Sequence, residues 1–133
     1  MAGQDPYVFC GDFNIKPESN MYRLLTNGTI EDDCIDVPRK DEDDLSEWEF
    51  KVKPLRSAYM VKRGMEPSFT NYAQTKFDAQ PFIDCLDYIF LSDEWVVNAV
   101  QDTPAWEDVN GPLPTLTEPS DHILISADLD IKP

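Results

Sequence analysis

Three short polar steps carry the residue types that phosphoester chemistry uses. The first is Gly11-Asp12-Phe13-Asn14. The second is Asp87, within Cys85-Leu86-Asp87-Tyr88-Ile89-Phe90. The third is Ser120-Asp121-His122. Carboxylates bind hard divalent cations such as Mg²⁺. His122 is the only histidine, and an imidazole beside negative charge is favoured in its protonated form, so its pKa is expected to rise. A carboxylate among apolar neighbours, as Asp87 is, needs a partner. It can orient the imidazole as buried carboxylates do in catalytic triads. Asn14 offers an amide donor for a phosphoryl oxygen. Together these groups suit metal-assisted phosphoester cleavage, where positioning and charge neutralisation lower the barrier. No Gly-rich Walker loop is present, so nothing supports an ATPase. Each step alone has a plainer reading: two surface turns and an Asp paired with Lys or Arg. Their joint occurrence, each at the edge of an apolar run, favours the chemistry.

Those residues need elements to hold them. Residues 7–13 read as a short buried strand stopped at Gly11, whose missing side chain permits close approach to the backbone. If that strand persists, Asp12 and Asn14 share a face. Pro17-Glu18-Ser19 opens a helix with Ser19 as N-cap, Tyr22, Leu24 and Leu25 as its apolar face, and Asn27-Gly28 as its end. Pro54 to Gly64 is spaced for a second helix with Leu55, Ala58, Tyr59 and Val61 facing inward. Residues 68–80 read as a loop, Leu86 to Leu91 and Val96 to Val100 as strands. Four prolines make 102–120 a long irregular connection. His122 to Ile131 alternates, with Ile123, Ile125, Ala127, Leu129 and Ile131 on one face of a closing strand.

The chain has 133 residues and a formal charge of −15. That length suits one domain, and no boundary is evident inside it. Ten acidic residues against Arg39 and Lys40 give residues 31–49 a net −8, expected as a solvated loop anchored by Trp48 and Phe50. Asp41-Glu42-Asp43-Asp44 is no calcium loop, because Leu45 and Ser46 stand where a ligand and the turn glycine are required. Three scattered cysteines fit reduced intracellular thiols, hence a cytoplasmic setting, and one histidine excludes a multi-His metal site. No apolar run is long enough for a membrane span. Met1 to Pro6 lacks the basic and apolar regions of a signal peptide. The acidic balance excludes docking on nucleic acid through a broad basic face; binding would be local, through metal, stacking and a few Lys or Arg.

The three steps resemble, in order, motifs of the endonuclease/exonuclease/phosphatase superfamily, whose domain has the DNase I-like fold. Leu55-Arg56-Ser57-Ala58-Tyr59 and Glu66-Pro67-Ser68-Phe69-Thr70-Asn71-Tyr72 are similar to segments of the branch holding poly(A) deadenylases, nocturnin-like enzymes and the 2′,5′-phosphodiesterase. The resemblance implies an α/β (α+β) fold: a two-sheet sandwich, mainly antiparallel, with short helices. It implies that Asp12 orients or activates the attacking water and touches a metal. Asn14 would hold the scissile phosphate. Asp87 would orient catalytic His122, and Asp121 would serve the metal site. His122 would bind the phosphate and stabilise the transition state or activate water. Phe82, five residues before Asp87, would stack on a nucleobase, with Asn71 also on the substrate side. Mg²⁺ is the implied cofactor, with Mn²⁺ an alternative.

The family's principal metal-binding Glu and an earlier Asn belong to the N-terminal half of its domain. Residues 1–133 resemble only the C-terminal half. The missing half would leave a sheet face or edge uncovered, so the isolated chain is expected to self-associate, exchange elements or be marginally stable, and to turn over little alone. The leading expectation is the C-terminal part of a Mg²⁺-dependent 3′–5′ RNA exonuclease of deadenylase type. The alternatives are a phosphatase on a nucleotide cofactor or phosphoinositide, or a non-catalytic interaction module lacking its metal Glu.

Overall fold

The computed structural model describes residues 5–31, 34 and 51–133. The acidic segment therefore lies outside the described residues except for Glu31 and Cys34, and Trp48 and Phe50 lie outside too. The strand Asp87–Leu91 (β5) organises the rest. It pairs antiparallel with Val8–Asp12 (β1) on one side and with Arg56–Ser57 (β2) on the other. Its side chains alternate between two cores. Tyr88 and Phe90 pack with Tyr22, Leu55 and Cys85. Leu91, with half-buried Ile89, packs with Ala58, Tyr59, Val97 and Val100. A strand covered on both faces must read as a near-continuous apolar run, and this one does. Each such buried side chain contributes about 1.5–3 kcal/mol.

The helix Asn20–Asn27 (α1) begins and ends as its sequence dictates. Ser19 accepts the Tyr22 amide at 3.2 Å, and Gly28 takes a left-handed φ of 79° that closes the last turn. A second helix, Ala58–Arg63 (α2), is shorter than its periodicity suggested. Ser57 caps it and Gly64 stops it, but Leu55 precedes it and Val61 faces solvent. Ser57 and Arg56 belong instead to β2, because Arg56 is drawn across the β5 end. Its guanidinium donates to the carbonyls of Ser92, Asp93 and Trp95.

Residues 68–80 are not simply a loop. They contain Asn71–Ala73 (β3), which pairs with Phe82–Asp84 (β4) in a hairpin. Three-residue strands lack the alternation that would announce them. The third sheet joins Trp95–Val100 (β6) to Ala127–Ile131 (β7). The closing strand is therefore shorter than His122 to Ile131. The stretch before Ala127 extends away from β6 toward β3, and Ile131 is exposed while Ile125, Ala127 and Leu129 pack inward. The connection through 102–120 is irregular apart from one 3₁₀ turn, Trp106–Asp108. The architecture is mixed α and β, dominated by antiparallel strands with short helices.

The largest departure concerns β1. The strand exists, but all five residues are exposed, Phe9 to 53%. Among the described residues β1 pairs only with β5, which leaves one edge of backbone N–H and C=O groups free. We expect the isolated chain to associate in a concentration-dependent way by light scattering. A sharply monomeric species of 15.2 kDa, unfolding cooperatively in calorimetry, would contradict this.

Glu66 joins α1 to β2 beneath the surface. Its carboxylate accepts the Tyr22 hydroxyl at 2.5 Å and the Ser57 hydroxyl at 2.9 Å. Burial raises its pKa, and the two hydroxyls only partly oppose that. A raised folded pKa means the stabilising contribution is complete below the ordinary carboxylate range and is lost as pH rises through the folded value. The stability difference between Glu66→Gln and the parent chain should therefore shift in favour of Gln from pH 4 to pH 7. A constant difference across that range would refute this.

Candidate active site

β1 and β5 end at the same level, because their register pairs Asp12 directly with Asp87. Two carboxylates opposite each other in a ladder repel. His122 relieves that repulsion. Its Nδ1 lies 2.7 Å from Asp87 Oδ2, and its Nε2 lies 3.9 Å from Asp12 Oδ2. Burial works against the charged imidazole, but the Asp87 hydrogen bond and the charges of Asp87, Asp12 and Asp121 outweigh it. The His122 pKa is therefore raised above its ordinary value.

His122 reaches this position through β3. It forms an isolated bridge with Asn71, and the Ile123 amide donates to the Thr70 carbonyl at 2.8 Å. The Tyr72 amide donates to the Asp121 carbonyl at 2.9 Å. The buried Asn71 amide group donates to both the carbonyl and Oδ2 of Asp121, each at 3.3 Å. Thr70 then ties β3 to β5. Its fully buried Oγ1 accepts the Leu86 amide at 2.8 Å and the Asp87 amide at 2.9 Å. One hydroxyl thus sets the backbone that aims Asp87 at His122.

Asn14 does not continue the strand. Its φ is 54°, in the left-handed region, and its amide donates to Asp12 Oδ1 at 2.9 Å. The chain turns immediately after Asp12, so Asp12 and Asn14 do not share a strand face. Asn tolerates this conformation better than most residues because its short side chain bonds locally. The turn also fixes the Asp12 carboxylate.

Asp12, Asp87, Asp121, His122 and Asn71 are thus assembled at one end of β1 and β5, with Asn14 on the turn that follows Asp12. Phe82 stands further out on β4, where it is 40% exposed and therefore no core aromatic. Lys16 Nζ lies 5.1 Å from the Phe82 ring centroid and 2.5 Å from Asp84 Oδ2. The sequence reading overlooked Thr70 and Lys16. Thr70 lay inside a segment already singled out, and Lys16 follows Asn14 by two residues. Neither has a side chain whose type alone announces its role.

The donor set for a metal is partial. Among the described residues no group of three or more His, Cys, Asp or Glu side chains is arranged to hold a metal ion. Asp12 and Asp121 are the carboxylates available, and a metal held here would need ligands from elsewhere. Burial pushes the Cys85 thiol up to about 12.

A histidine is thus held by one carboxylate and faces a second at one end of the β1–β5 ladder. Residues 2–122 match the Endonuclease/Exonuclease/phosphatase family, and the chain belongs to it. Members of that family generally use divalent metal ions. The chain is 34% identical over 131 residues to the 2′,5′-phosphodiesterase 12 of Mus musculus, a match covering 96% of this chain and 20% of that protein. It is 35% identical over 129 residues to the Carbon catabolite repressor protein 4 homolog 4 of Arabidopsis thaliana, covering 94% and 27% respectively. It is 32% identical over 139 residues to the CCR4-Not complex 3′-5′-exoribonuclease subunit Ccr4 of Coccidioides immitis, covering 98% and 17%. The chain thus spans between 17% and 27% of the length of these relatives.

Proposed function

We propose that this chain is the C-terminal part of a Mg²⁺-dependent RNA phosphodiesterase of the 3′–5′ exonuclease, deadenylase type. The observation that carries the reading is the His122 ring, held at Nδ1 by Asp87 with Nε2 turned toward Asp12. In that arrangement Nε2 binds and neutralises the scissile phosphate, and Asp87 keeps the ring in one orientation. Asp12 orients the attacking water. Asn14 donates to a phosphoryl oxygen. Asp121 serves the metal side, and Asn71 acts on the substrate side through it. The exposed Phe82 face stacks a base. The names of the relatives, a 2′,5′-phosphodiesterase and a 3′-5′-exoribonuclease, support an RNA linkage as substrate.

The test compares Mg²⁺-dependent product release from 3′,5′-linked oligoadenylate, 2′,5′-linked oligoadenylate, mixed-sequence RNA and NADP(H), using the enzyme that carries this chain. Release from the adenylates and not from NADP(H) is expected; the reverse would establish the phosphatase alternative. Phe82→Ala should reduce the preference for adenylate about five-fold or more, since a stacked base is worth roughly 1–3 kcal/mol. An unchanged preference would remove Phe82 from the substrate site.

A further inference from the structure

The β3–β4 hairpin is rooted at the histidine and projects from it. Asn71 bridges His122, Ala73 bridges Leu113, and the Leu113 amide donates to the Tyr72 carbonyl at 2.8 Å. Beyond that root, residues 74–81 carry Phe77, which is 85% exposed. Among the described aromatic side chains none is more exposed. The turn that presents it is held by its own hydrogen bonds. The Thr75 amide donates to Asp78 Oδ2 at 2.8 Å, and the Asp78 amide donates to the Thr75 carbonyl at 3.1 Å. Gln74 Nε2 donates to the Asp78 carbonyl at 3.2 Å, and the Phe77 amide to Thr75 Oγ1 at 3.3 Å.

Lys76 Nζ lies 4.9 Å from the Phe77 ring centroid. The same pairing recurs at the root, where Lys16 lies over Phe82. The hairpin therefore has a lysine over each of two exposed rings, Lys76 from its own turn and Lys16 from the segment after β1, which also pairs with Asp84, in a chain whose net charge is −15. An apolar protein partner would fit Phe77 but would leave Lys76 without a role. A ligand with flat aromatic faces and a regular negative backbone uses both groups at once.

We propose that Phe77 and Lys76 form a second stacking site for single-stranded RNA, beyond the nucleotide at Phe82, so that the hairpin is a track leading to His122. The inference rests on the RNA reading above and deepens it. Phe77 lies in the turn beyond β3, five residues before Phe82, so a strand long enough to continue past the base at Phe82 is the ligand that engages both rings.

The experiment is fluorescence anisotropy on the whole 133-residue chain, with a labelled oligoadenylate decamer and unlabelled dinucleotide as competitor. Phe77→Ala should weaken the decamer about five-fold or more and leave the dinucleotide unchanged. Phe77→Trp should restore decamer affinity, and Lys76→Ala should lower its salt dependence. Unchanged decamer affinity, equal loss for both lengths, or no rescue by Trp would overturn the proposal. So would loss of self-association on Phe77→Ala with RNA binding intact, which would make the tip a protein contact. These are binding readouts. Failure of the catalytic reading shows separately, as dinucleotide cleavage that persists in His122→Ala of the enzyme that carries this chain.

Discussion

His122→Ala is expected to lower phosphodiester cleavage by on the order of 10³-fold in the enzyme that carries this chain. Among the described residues the ring alone pairs with both Asp12 and Asp87, where it presents a cation or a transferable proton. Its loss leaves those two carboxylates facing each other across the β1–β5 register with nothing to offset their repulsion. Asp87→Asn should reproduce much of the effect, because it removes the charge that holds Nδ1. It has a signature that a merely structural defect lacks. The His122 pKa, followed by NMR, should fall toward the ordinary imidazole value as the hydrogen bond and charge of Asp87 are lost. The double variant should lose little beyond His122→Ala, since groups acting as one unit are not additive. Cleavage by His122→Ala within a few-fold of the parent would reject the assignment of this residue. A fully additive double variant would reject the unit.

Thr70→Val is expected to destabilise the fold by about 2–4 kcal/mol. Valine has nearly the shape of threonine, so packing is kept. What disappears is the buried acceptor for two amides, Leu86 and Asp87. Each buried donor left without a partner costs about 1–3 kcal/mol. Urea unfolding followed by tryptophan fluorescence measures the loss, and Thr70→Ser should recover most of it. A loss below about 1 kcal/mol would mean that the amides find other acceptors. The same variant should impair cleavage, because the Asp87 backbone is then free to turn its carboxylate away from His122. Thr70 is thus a positioning residue, fixing the site from behind.

These two residues mark the boundary of what the sequence makes legible. His122 is unique and follows a carboxylate directly, so residue type and adjacency identify it. Asp87 interrupts an apolar run, and burial of a charge demands a partner. Helix α1 was readable because its signals are local: Ser19, three apolar residues on one face, and Gly28. Thr70 was hidden because a threonine beside aromatics is ordinary in a segment that reads as a loop. Only a partner strand distant in sequence makes its hydroxyl a bridge. β3 and β4 were hidden for a related reason, since three residues carry no usable period.

β1 was recognised as a strand, yet the expectation of burial failed. Apolar composition says that a segment prefers to be covered; it does not say that a covering surface is present. Asn14 departs from the strand for a local reason, its bond to Asp12, which alternation alone cannot reveal.

The sequence by itself determined the chemical groups, their order and the family to which they belong, because these depend on residue type and on short spacings. The sequence also named Asp87 as the partner of His122; tertiary structure alone decided that Asp12 faces the ring's other nitrogen and that a buried threonine aligns Asp87. Those facts depend on strand register and on contacts between residues 12, 70, 87 and 122. Register is settled by how two apolar cores close on both faces of β5, a condition spread over the whole chain and written in no single motif.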